Sequence, residues 1–162
     1  MRLCWGESVS ILAIDPGPNE SAWVEFDGER VIDHGITCND DVRMIVALDR
    51  LRPLIVEGIA CYGMPVGKET FDTCIWIGRF IEAHLGNYAL VYRPAVKMHL
   101  CHSMRAKDPM VRQALIDRFG PGKEAAIGRK KTPGPLYGIS SHCWSAMAVA
   151  VTYWDQNLEG RP

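Results

Sequence analysis

The chain alternates short apolar runs with longer amphipathic stretches. Residues 9–15 (VSILAID) form an unbroken apolar run that stops at a carboxylate, the pattern of a buried strand. Residues 21–26 (SAWVEF) alternate, Asp27-Gly28 is a hairpin turn, and residues 29–37 continue as a third strand. Asn39 or Asp40 can cap a helix with apolar positions at Val42, Ile45, Val46, Leu48 and Leu51, which Pro53 ends. Residues 53–59 (PLIVEGI) read as a second buried strand, again reaching a carboxylate, Glu57. A Gly/Pro loop, residues 60–69, precedes a helix over 70–85 and a strand over 88–92. Helices follow from Pro94, over 108–119 and over 141–154, where Ser140 or Ser141 can cap; residues 120–139 read as one long loop.

The order β-β-β-α-β-α-β-α-α-α predicts an α/β fold. An antiparallel three-strand start joins a parallel continuation in a mixed sheet with helices on its faces. A length of 162 residues, without internal repeats, predicts one domain over 1–162. No apolar run approaches the roughly 20 residues of a membrane span, and MRLCWGESVS is too polar and short for a signal peptide. The expectation is a cytoplasmic protein whose six scattered cysteines are reduced and mostly buried. His99, Cys101 and His102 do not share a helical face, which argues against a zinc site there.

Net charge is −1, but its distribution is uneven. Residues 1–92 hold seven basic and fourteen acidic residues; residues 93–131 hold ten basic and three acidic, a balance of +7. Such asymmetry suits a polyanion-binding surface, or simply solvated helix faces. The carboxylates sharpen the choice. If the strands ending near Asp15 and Glu57 are parallel neighbours, both acids stand at the edge where ligand sites gather. Two adjacent carboxylates repel unless a cation joins them, and oxygen donors suit Mg²⁺ or Mn²⁺. Beside a basic flank, that pair points to metal-assisted phosphodiester hydrolysis. The plainer alternative makes Asp15 a turn cap before Pro16 and puts Glu57 in a salt bridge.

Four stretches in order, IDPGPNESAW, LIVEG, YRPAVK and SSHCWSAMAVAVT, resemble the RuvC-type Holliday junction resolvases of the RNase H-like superfamily, over about residues 9–154. The resemblance implies an RNase H-like five-stranded sheet and a homodimeric, metal-dependent endonuclease that cuts branched DNA such as four-way junctions. It implies no membrane and no small-molecule cofactor. Asp15 and Glu57 match the catalytic carboxylates of the first and fourth strands. Lys97 matches a lysine near the scissile phosphate, and Lys107 a second. His142 matches the first metal ligand of the last helix. Ser145 stands where that helix usually carries an Asp.

Positions 142 and 145 share a helical face, so both can approach the site, but a serine hydroxyl is a weak ligand. The metal set becomes Asp15, Glu57 and His142, with Ser145 giving a hydroxyl contact at most. Glu69 is a further candidate acid, although helix capping explains it equally. Tyr62, in the loop after Glu57, matches a region that enters the junction, where an aromatic ring stacks on an unpaired base. Arg129, Lys130 and Lys131 would contact phosphates, or stay in solvent. Trp76 and Phe80 form an apolar stripe divided between core and dimer interface. Because imidazole suits Mn²⁺ better than Mg²⁺, Mn²⁺ should support cleavage at least as well as Mg²⁺; a titration with Mg²⁺ clearly superior would remove His142 from the ligands. The rival reading is a junction-binding protein of the same fold with little or no catalysis, because an acid is missing. An ATP-binding protein with this sheet topology fits poorly, since Pro16 and Pro18 fill the turn that would hold phosphate.

Overall fold

The computed structural model describes residues 9–159. Its central sheet has the order β3-β2-β1-β4-β5. The strands are β1 (Ile11–Asp15), β2 (Glu20–Phe26), β3 (Val31–Cys38), β4 (Leu54–Gly58) and β5 (Tyr88–Tyr92). β1, β2 and β3 pair antiparallel, whereas β4 runs parallel to both β1 and β5. The mixed sheet read from the sequence is therefore present, with the strands in the expected sequence order.

The Asp27-Gly28 turn forms because the Asp27 carboxylate accepts from the backbone N–H groups of Glu29 and Arg30 at 2.9 and 2.8 Å. Gly28 is required twice over: its φ is +93°, and a Cβ there would lie 2.3 Å from the Trp154 ring.

Strand alternation divides the interior in two. Ile11 and Ala13 of β1 and Ile55 of β4 face one core; Leu12, Ile14, Leu54 and Val56 face the other. The first core is covered by α3 (Arg93–Cys101), α4 (Asp108–Phe119) and α6 (Cys143–Asn157), with α6 lying across β1, β2 and β4. The second is covered by α1 (Asn39–Leu48) and α2 (Lys68–His84), which pack on each other. Phe80 and Ile77 of α2 fill this core, while Trp76 is half-buried beneath Arg79, 4.6 Å from the ring centroid.

Several expectations change, among them the helix caps, which are Cys38 for α1 and His142 for α6. The stretch 120–139 is not one loop. It holds a single-turn helix, α5 (Lys123–Ala126), and a hairpin of β6 (Gly128–Arg129) and β7 (Thr132–Pro133). Elements of two to four residues are too short for a periodic signal. The cysteines are not mostly buried: Cys38, Cys61 and Cys74 are exposed, Cys101 is half-buried and Cys143 is buried, all as free thiols. The three exposed ones sit at a strand end, in a loop and on the outer face of α2, none of which faces a core. Cys4 lies outside the described residues. Among the described residues no helix is long and apolar enough to cross a membrane.

Candidate active site

The register sets the site. Ile14 of β1 pairs with Val56 of β4, so the next residues, Asp15 and Glu57, stand side by side at the carboxyl ends of parallel strands. Alternation turns both toward the face covered by α6. The turn after Asp15 does not depend on its carboxylate. Gly17 N–H donates to Ser21 Oγ at 3.1 Å, Ser21 Oγ donates to Asn39 Oδ1 at 2.6 Å, and Asn39 Nδ2 donates to Gly17 O at 2.9 Å. Gly17 is also needed for the close approach, since a Cβ would meet Glu20 O at 2.4 Å. Ser21 and Asn39 hold the turn, which leaves Asp15 free for other chemistry.

Glu57 does find the cation that the plainer reading asks for. Arg93 Nη1 lies 3.4 Å from Glu57 Oε1 and donates to Ser145 Oγ at 3.2 Å, while its Nη2 meets Asp108. Glu57 Oε2 is buried without a hydrogen-bond partner. On the other side, His142 Nδ1 is 3.3 Å from Asp15 Oδ2. His142 is the N-cap of α6 rather than a residue of the helix, reached through Ser141 in the left-handed region at φ +45°. Its side chain is 74% exposed and borders two hollows, of about 350 and 390 Å³. One is lined by Arg93, Asp108, Arg112, Trp144 and Ser145; the other by Asp15 and the turn through Glu20.

Burial pushes the Asp15 carboxyl up to about 6, against the opposing pull of Glu57 and Arg93. Burial and then the charge of Asp15 push Glu57 up to about 7. Ionising the pair therefore costs more in the fold than in the unfolded chain. A carboxyl with a raised folded value loses stability as pH climbs from its unfolded value through its folded one. Without metal, the wild type should lose stability relative to Asp15→Asn as pH rises from about 4 to about 7, and Mn²⁺ should restore it. Thermal melts across that range check this; parallel profiles for the two proteins would mean the pair carries no such penalty.

The site fits an oxygen-preferring divalent ion on two grounds: a buried carboxylate oxygen has no partner, and a second carboxyl stands beside it. Among the described residues no three His, Cys, Asp or Glu gather as a ready-made metal cage. Mg²⁺ commonly binds through one or two carboxylates, with water and substrate phosphate completing the shell.

The other expected site residues spread outward. Lys97 lies one turn beyond Arg93 on α3 and half-buried, on the same helical face. Lys107 is the exposed N-cap of α4, next to Asp108. Tyr62 is 65% exposed at φ +47° and borders a hollow with Glu57, Tyr92 and Arg93. Arg129 pairs with Glu124 at 2.5 Å, and Lys130-Lys131 turn the β6–β7 hairpin. The segment after that hairpin is fastened by Val31 N–H donating to Pro135 O at 2.9 Å, at the end of β3 remote from Asp15. The hairpin is thus not gathered with the carboxylates. Glu69 lies exposed in the first turn of α2, and Asp72 pairs with Lys68 at 2.5 Å. His99 is held by Asp155 at 2.7 Å rather than by its cysteine and histidine neighbours.

Arg93 and Asp108 are the residues that sequence reasoning missed. A signal was there. Tyr92 ends the third parallel strand and pairs with Gly58, so the residue after it must emerge beside Glu57.

The sheet order, the parallel β1–β4–β5 segment and the helices on both faces define the RuvC and RNase H-like fold. Solved structures share it, among them the following two. The chain is similar to Thermus thermophilus RuvC at 17% identity and a TM-score of 0.63, covering 91% of this chain and 95% of that one. It is similar to T. thermophilus RuvC in complex with a Holliday junction substrate at 16% identity and a TM-score of 0.65, covering 90% and 92%. No family model matches the sequence, and no curated protein matches it.

Proposed function

We propose that this chain is a metal-dependent endonuclease that resolves branched DNA, four-way junctions in particular, by phosphodiester hydrolysis. The observation that carries the reading is the half-buried Asp15–Glu57 pair at the carboxyl ends of β1 and β4, with Arg93 against Glu57 and Lys97 one turn further along α3. Likeness of fold to a resolvase solved with its junction supports the choice of substrate.

Asp15 and Glu57 would hold Mg²⁺ or Mn²⁺, with His142 beside Asp15 as a further donor, and Ser145, which accepts from Arg93, would add a hydroxyl at most. When bound, the ion supplies an activated water and neutralises charge on the leaving oxygen. Arg93 and Lys97 present positive charge to the scissile phosphate, where it stabilises the transition state. Lys107, Arg129, Lys130 and Lys131 extend the contact along the backbones, and Tyr62 stacks on an unpaired base. Two copies, related by a two-fold axis, cut two strands. The exposed apolar side chains Phe71 and Ile75 of α2 offer the surface for that pairing.

A second reading has one observation in its favour. Ser145 brings no charge, and Arg93 already engages Glu57. On that reading the chain binds junctions and cuts them weakly or not at all. Cleavage of a labelled junction by the wild type and by Asp15→Asn separates the two.

A further inference from the structure

Arg93 is placed as part of the sheet edge rather than on a mobile arm. It follows β5 without a break, and β5 is paired along its length with β4. Its guanidinium is tied at three points: Glu57 Oε1, Ser145 Oγ and the Asp108 carboxylate. These contacts come from β4, α6 and α4, so the group is fixed from three sides. An arginine keeps its charge at any working pH. Only 30% of its side chain is exposed, so water screens that charge incompletely.

Charges at the site balance in a particular way. Asp15 and Glu57 together match one divalent ion, and Asp108 matches Arg93. Ser145 adds nothing to either side. A second divalent ion between Glu57 and α6 would have to sit against the guanidinium in a half-buried place, with no carboxylate left to offset it. We propose that Arg93 is the fixed second cation of this site, so that each chain takes a single divalent ion, at Asp15 and Glu57. The inference rests on the metal-dependent reading above and specifies how that site is charged. The guanidinium has five N–H groups, so its three protein contacts leave donors for a phosphate oxygen. It borders hollows on both sides, one with Ser145 and one with Tyr62, through which a strand can reach it.

The test counts ions and needs no cleavage. Mn²⁺ binding to the full chain without DNA is measured by titration calorimetry and by the loss of free-ion paramagnetic signal. Binding retained by Asp15→Asn is subtracted as surface association. The wild type should take one Mn²⁺, and the double variant Arg93→Gln with Ser145→Asp should take two. Two ions on the wild type would overturn the inference and leave the metal-dependent reading standing. One ion on a folded double variant would show that something other than the guanidinium limits the count, and would also overturn it. No ion on the wild type would remove both the inference and the metal-dependent reading.

Discussion

Asp15→Asn should bind a four-way junction as the wild type does and cut it at least about 10³-fold more slowly. A residue that merely supports a metal ligand changes activity by roughly 10–100-fold, and loss of a ligand's charge should exceed that. The substitution keeps shape and volume at a place fixed on both sides, by Ala22 of β2 and by β4. It also removes one of two carboxyls that burial makes costly to ionise, so the fold should not suffer. The measurement is cleavage of a labelled synthetic junction, with linear duplex as control, in Mn²⁺ and separately in Mg²⁺. Paired nicks at the crossover, lost in the variant, would support a resolvase. Tight binding with no cutting by either protein would favour the binding-protein reading. Indifference between junction and duplex would leave a shared fold and a different substrate.

The largest effect on stability is expected from Phe26→Ala, a loss of about 3–5 kcal/mol as for other fully buried aromatics. Phe26 is fully buried and sits edge-on to two rings, Phe119 at 5.9 Å and Trp154 at 5.5 Å. It therefore joins β2 to α4 and α6 at once. Urea unfolding should show a lower midpoint with an unchanged slope. A loss under about 1 kcal/mol would mean that the three elements close over the gap. Phe26 pairs with Ile11, at the opposite end of β1 from Asp15. Cleavage per folded molecule should accordingly survive a substitution that costs so much stability.

How much of this was legible in the sequence depends on the size of the signal. The strands ending in Asp15 and Glu57 were readable because unbroken apolar runs mark them, and their adjacency needed only a parallel pairing that the structure contains. The turn after Asp15 was not readable: its hydrogen bonds come from Ser21 and Asn39, and Asn39 lies 22 residues from Gly17. Arg93 was visible as one of ten basic residues and within YRPAVK, but without a role, because its meaning depends on which strand it follows. His142 was found, but at the head of its helix rather than within it. The hairpin at 128–133 was missed because two-residue strands carry no period.

One consequence follows from the way the site is mounted. Asp15 and Glu57 are built into five-residue strands packed on both faces, so neither can shift without moving a core. His142 caps the last helix and Ser145 stands on its first turn, and His142 is mostly in solvent. The site thus has an anchored half and an interchangeable half. If the proposed metal site is right, descent or an engineer could retune the preferred ion at positions 142 and 145 without disturbing the scaffold, whereas the strand acids leave almost no room for variation.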